Sequence, residues 1–259
     1  MMRVTKLLFV LILTINVSGV YGQNNRLKTS NNIGWYNYFG TFKLSSKAGI
    51  HTEYQWRRSN FISDKQQGVL RVGINYNLTP LILFRTGYAW IETYPYGDIP
   101  LNGLGRDFTE HRIYEMIQLS HKEGIVDLSH RFMLEQRFVG RYSSANVSKE
   151  DEFPLTNRAR YMLRVQLPLN KREIKDKTPY LAFYDEILIG FGKNVNENIF
   201  DQNRFGVLLG YRFNKTYRIE GGYLHQTLQY GREINGQNVF QNNNGFIINT
   251  YVNVDLTKK

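Results

Sequence analysis

Residues 68–92 read GVLRVGINYNLTPLILFRTGYAWIE, and the fold is decided there. In Gly68–Tyr76, Leu70, Val72, Ile74 and Tyr76 alternate with Arg71, Gly73 and Asn75. After the turn-forming Asn77-Leu78-Thr79-Pro80, the stretch Leu81–Glu92 sets Ile82, Phe84, Tyr88 and Trp90 against Arg85, Gly87 and Ala89. Successive side chains point to opposite faces only in a strand, so a period of two predicts two strands joined by a tight turn. Each has one greasy face and one carrying arginine.

The same pattern runs outward in both directions. Upstream, Gly49–Arg58 alternates Ile50, Thr52, Tyr54 and Trp56 with His51, Glu53, Gln55 and Arg57. Downstream, Ile125–Val139, Thr156–Pro168, Gln202–Phe213 and Phe246–Leu256 alternate equally well. Glu110–Ser120, Tyr180–Phe191 and Tyr217–Tyr230 do so less cleanly. These ten segments run from Gly49 to Leu256, and Ile33–Phe42 would be an eleventh. Eleven would break the even-number habit of such barrels, so either this segment is extra or a break is hidden elsewhere, and the count expected is ten to twelve. Short turns at 77–80, 121–124 and 214–216, with a longer charged one at 170–178, alternate with long polar stretches at 93–107, 140–155, 192–201 and 231–243. That describes an up-and-down meander.

Composition narrows the class. The chain has 259 residues, 42% hydrophobic and 14% aromatic, a formal charge of +11 and no Cys. It is too apolar for disorder, and without cysteine a disulfide scaffold, a thiolate metal site, a Cys nucleophile and a lipoprotein anchor are excluded. Residues 1–22 read as a secretory signal: Arg3 and Lys6, then the apolar Leu7–Val17, then Ser18–Gly22, with cleavage expected near Gly22/Gln23. Eleven apolar residues are too few to cross a ~30 Å hydrocarbon core as a helix. The division expected is a signal peptide at 1–22, an N-terminal segment at 23–48 with one extra strand, and a barrel at 49–259.

Which face points outward follows from length and ends. Strands of this length suit a tilted bilayer crossing, which needs about 9–11 residues. Tyr88, Trp90, Tyr211, Phe213 and Tyr217 fall near strand ends, as aromatic girdles do. The expected architecture is an antiparallel up-and-down transmembrane β-barrel of the outer membrane, with short periplasmic turns and long external loops. A secreted soluble barrel binding an apolar ligand is the alternative. The expected lumen then holds Glu53, Arg57, Arg71, Arg85, Arg112, Arg131, Glu135, Arg137, Arg158, Arg160, Arg164, Glu186, Arg204, Arg212, Arg218 and Glu220, with Glu110, Asp127 and Asp255 on the same face. Such an array either fills and rigidifies a narrow barrel or makes an anion-favouring passage.

Three polar residues fall on the otherwise apolar face: Glu115, His130 and Asp185. Pairing across the 121–124 turn sets Glu115 opposite His130, which raises a lipid-hydrolysing site, but Ser120 and Ser129 fall on the polar side. A local bulge or a contact between protomers is the competing explanation. Asp201-Gln202-Asn203 would suit calcium in a loop, or simply a turn. The five histidines have no metal-ligand spacing, and no catalytic residue, metal or cofactor is assigned. Expected partners are outer-membrane lipid and lipopolysaccharide, the barrel-assembly machinery during insertion, and at most weak self-association. Charge placed on alternate strand positions argues against nucleic acid.

These residues carry a resemblance. Glu110-His111-Arg112-x-Tyr114-Glu115, His130-Arg131-x-x-Leu134-Glu135-Gln136-Arg137 and Asn157-Arg158-x-Arg160-Tyr161 resemble the domain-of-unknown-function family numbered 2490. So do Tyr184-Asp185-Glu186, Asp201-Gln202-Asn203-Arg204 and Gly221-Gly222-Tyr223-Leu224-His225-Gln226. The resemblance, to a family common in Bacteroidota, implies an outer-membrane barrel and brings no catalytic residues.

Overall fold

A computed structural model describes residues 26–257; the stretch 1–22 expected to be a signal, with its expected cleavage near Gly22/Gln23, lies outside them. The described chain has eleven strands: β1 Arg26–Lys43, β2 Ala48–Ser59, β3 Asp64–Thr79, β4 Ile82–Thr93, β5 Phe108–Glu123, β6 Val126–Val139, β7 Leu155–Pro168, β8 Thr178–Phe191, β9 Phe200–Arg212, β10 Tyr217–Ile234 and β11 Gln237–Asp255. No helix occurs among the described residues. Each strand pairs antiparallel with its neighbours in sequence, and the sheet closes on itself where β1 meets β11.

Eleven strands fall within the ten to twelve expected but break the even-number habit, and β1, within the segment 23–48, is the strand on which the sheet closes. Strands that alternate up and down leave the first and last running the same way whenever their number is odd. Closure here is therefore parallel, in register from Arg26↔Asn238 to Lys43↔Asp255. Parallel pairing is slightly weaker per residue than antiparallel pairing. β1 offsets that with length, using all of its 18 residues in the seam.

Connections 94–107, 140–154 and 192–199 lie at one end of the barrel, here the loop end, where the chain also enters through β1. The opposite, turn end carries 44–47, 80–81, 124–125, 169–177 and 213–216. The stretch 231–243, expected to be a fourth long loop, is instead a hairpin. β10 and β11 run on to a two-residue turn at Asn235 (φ 51°) and Gly236 (φ 70°). A type I′ turn needs positive φ at both central residues, which Asn-Gly supplies with little strain. The protruding hairpin is flanked by the start of β1.

Exposure alternates along the strands and fixes the two faces. Ile50, Tyr54 and Trp56 of β2, Leu70, Val72, Ile74 and Tyr76 of β3, and Tyr88 and Trp90 of β4 are all exposed. So are Ile113, Ile117, Phe132, Leu134, Ile187, Phe205, Leu209 and Tyr223 further round. The outer wall is thus a continuous apolar belt. The buried residues between them face a filled interior.

Candidate functional site

The interior is the candidate site, and the alternation of each strand builds it. Of the residues expected in the lumen, Glu53, Arg57, Arg71, Arg112, Glu135, Arg158, Arg160, Glu186, Arg204 and Glu220 are buried; Arg85, Arg131, Arg137, Arg164, Arg212 and Arg218 are half-buried. Pairs run between neighbouring strands along the wall and, from Arg71, Arg131, Arg137, Arg158 and Arg164, between strands that are not neighbours.

Glu135 on β6 is the hub. It accepts from Arg158 Nε at 2.8 Å and Nη2 at 2.5 Å, and from Arg160 Nη1 at 2.7 Å, while Arg71 and Arg112 each come within 3.6 Å. Arg71 belongs to β3, so this contact spans the barrel rather than the sheet. Arg160 also reaches Glu186 on β8, joined there by Arg131 at 2.8 Å and Arg204 at 3.5 Å. Arg112 and Arg137 grip Glu110 together, Arg137 through Nε at 2.6 Å and Nη2 at 3.1 Å. Glu53 holds Arg71 at 2.6 Å, and His51 lies 3.2 Å from the same carboxylate. On the far side, Glu220 accepts from Arg164, from Tyr180 Oη at 2.7 Å and from Tyr251 Oη at 2.9 Å. Forked guanidinium–carboxylate contacts of this kind are the strong form of the interaction, and a connected set of them resists removal of any one member.

The array leaves a second wall apolar. Ile33, Trp35, Tyr180, Ala182, Leu208, Leu224 and Ile247 form one buried cluster contributed by β1 and β8–β11. At Gly206 and Gly210 an added Cβ would overlap the rings of Tyr184 and Tyr180, so glycine is what lets those rings lie flat against the inner wall.

Several expectations change. Asp201 is no calcium loop. It is buried in β9, where it accepts from Arg158 Nη1 at 2.5 Å and faces Arg137 at 3.6 Å. The register between β8 and β9 shifts at this point, pairing Leu188 with Gln202 and Ile189 with Phe200, so Asp201 is the extra residue of a β-bulge. Among the described residues no cluster of His, Asp and Glu is arranged to hold a metal. Asp127 and Asp255 sit at the turn-end rim against Lys122 and Lys43.

The outward polar residues are real exceptions, and no bulge reverses them: β5 and β6 pair without a register shift. Nor are Glu115 and His130 opposite each other. The hairpin turns at Gly124–Ile125, two residues later than read, so Glu115 faces Leu134 and His130 faces Leu119. Glu115 accepts from Gln136 Nε2 at 3.2 Å; His130 Nδ1 lies 2.9 Å from Tyr161 Oη, with His121 stacked on its ring; Asp185 accepts from Asn203 Nδ2 at 2.8 Å. Ser120 and Ser129 pair with each other on the inner side.

At the loop end the ion-paired interior opens into a half-enclosed cup of about 410 Å³. Arg57, Arg112, Arg137 and Arg204 line its depth, and Phe108, Tyr142 and Tyr230 its upper wall. The connection 94–107 folds across from β4 to the opposite hairpin. Tyr230 Oη donates to Ile99 O at 2.7 Å, Arg232 Nη2 donates to Pro100 O at 2.8 Å, and Tyr96 Oη donates to Gln241 at 3.2 Å. Ile99 and Leu101 pack on Leu228, Tyr230 and Val239.

The family described as Protein of unknown function (DUF2490) matches residues 32–237, and the chain belongs to that family. No curated protein matches it.

Proposed function

We propose that this DUF2490 member is an outer-membrane β-barrel of envelope-structural, non-enzymatic role, whose lumen is closed by its own ion pairs rather than held open as a pore. One observation carries the reading: Glu135 is 0% exposed while Ile74 is 63% and Leu209 58% exposed. In water, a protein that hides its carboxylates and displays its isoleucines would leave an apolar surface far beyond what soluble monomers tolerate. In hydrocarbon the same arrangement is favourable, and a closed barrel is the only sheet that satisfies every backbone group there. The secretory segment read at 1–22 supports export, with outer-membrane lipid and lipopolysaccharide as neighbours and the barrel-assembly machinery as the route of insertion.

Closure rests on Glu135, which draws Arg158, Arg160, Arg71 and Arg112 into one buried knot across an eleven-strand interior. A barrel of this size leaves little room beside such a layer. Against lipid hydrolysis, His130 is engaged by Tyr161 and His121, and the nearest expected serines face inward. Planar-bilayer recording tests the proposal. The purified full-length protein should insert without steady ohmic conductance; a stable open channel in the wild type would refute closure.

A further inference from the structure

Among the buried arginines of the cup, Arg57 is held differently from Arg112 and Arg204. Glu135 alone gathers four guanidiniums, and Glu110, Glu186 and Asp201 gather most of the others. Arg57 is 6% exposed, yet its partners are neutral amides: Nε and Nη2 donate to Gln55 Oε1, and Nη1 donates to Gln67 Oε1 at 2.7 Å. Among the described residues no carboxylate comes within ion-pair distance of it. Amide oxygens satisfy the geometry of a guanidinium without cancelling its charge. A buried charge left unneutralised is costly, and the equally buried Arg71, Arg112, Arg158 and Arg160 each meet a carboxylate closely.

The surroundings repeat the asymmetry. Arg57 lies 3.8 Å from the ring of Trp35, and Arg204 lies 5.2 Å from the same ring, so the indole holds the two cations apart on a shared aromatic plate. Arg204 has a single distant carboxylate, Glu186 at 3.5 Å, and is otherwise held by Gln202. Across the whole cup six guanidiniums face two carboxylates. Its volume of about 410 Å³ lies in the range of small-molecule sites. Above the cationic depth stand the aromatic residues Phe108, Tyr142 and Tyr230.

We propose that the cup is a binding site for a small organic oxyanion, a carboxylate or phosphate head joined to an apolar or aromatic body. The head completes the charge of Arg57 and Arg204, and the body rests against the aromatic upper wall. Planar forked donors suit either head. The inference stands on the lining of the cup and holds whether or not the lumen conducts.

Calorimetric titration of the purified full chain in micelles tests it, with phenyl phosphate and benzoate as probes, inorganic phosphate as a head without a body and benzamide as a body without charge. Either aromatic anion should bind at least tenfold more tightly than benzamide and than inorganic phosphate, and the tighter of the two identifies the head. Arg57→Gln should weaken that binding at least tenfold and melt no lower than wild type, because it removes an uncompensated charge. Arg57→Lys, which keeps the charge but loses the fork, should fall between them and serves alone if the glutamine variant does not fold. Absence of binding, equal binding of benzamide, or unchanged affinity in the folded Arg57 variants would overturn the site.

Discussion

The two inner walls of this barrel are held by different physics. Along β2–β7 the buried residues include a dense charged set, Glu53, Arg57, Arg71, Glu110, Arg112, Glu135, Arg158 and Arg160, beside small apolar clusters such as Val69 with Ile91 and Tyr114 with Met116. Along β8–β11 and β1 charge is sparser, and the largest buried apolar cluster sits there among neutral amides: Ile33, Trp35, Tyr180, Ala182, Leu208, Leu224 and Ile247. The first wall depends on partners, since a buried charge is tolerable only while its counter-charge is present. The second depends on shape, since a void costs what its missing contacts were worth. Glu186, Asp201 and Glu220 reach over from the second wall to Arg160, Arg158 and Arg164 and tie the two together.

The comparison is broken most severely at its hub. Glu135→Gln leaves Arg158, Arg160, Arg71 and Arg112 facing one another without their common carboxylate and should cost about 3–5 kcal/mol, read from the urea midpoint in micelles. Leu224→Ala, which hollows the opposite wall, should cost about 3 kcal/mol by the same measurement; near-equality with a surface substitution would mean that wall is not packed. Gly236→Ala strains a left-handed turn residue and should cost about 1 kcal/mol. Its effect should fall on the protruding hairpin, seen as faster amide exchange at 231–243 and unchanged exchange in β5 and β6. Smallest is Glu115→Gln on the outer face, where Gln136 is the side-chain partner among the described residues. A change within about 0.5 kcal/mol is expected, and a larger loss would indicate a buried protomer contact there.

The same contrast explains what could be read from the chain. Where the inner wall is charged, apolar and polar residues alternate and the strands announce themselves, as in Gly49–Arg58 or Thr156–Pro168. The period fades where inner positions turn apolar, as at Tyr180, Ala182 and Leu188 of Tyr180–Phe191 and at Leu224 and Leu228 of Tyr217–Tyr230, although both are strands of the same barrel. β1 was legible as a strand in Ile33–Phe42, but parity argued against its membership; nothing local in a sequence specifies a parallel seam formed with residues some two hundred positions away. Asp201 was missed because a bulge adds one residue and leaves no mark on the alternation. The Asn235-Gly236 pair, by contrast, is a strong hairpin signal that was overlooked inside a polar stretch. Register needs the position of the turn to the residue, which is why Glu115 and His130 were set opposite each other and are not.

Three tryptophans divide between the faces and offer the most direct test. Trp35 is 3% exposed inside the barrel, whereas Trp56 and Trp90 are 39% and 45% exposed on its outer belt. Variants retaining one tryptophan each, reconstituted in vesicles containing brominated acyl chains, report contact with lipid by quenching. Strong quenching of Trp56 and Trp90 with little loss from Trp35 is the predicted result. Quenching of Trp35 alone, or of none of the three in protein that stays soluble without detergent, would contradict it.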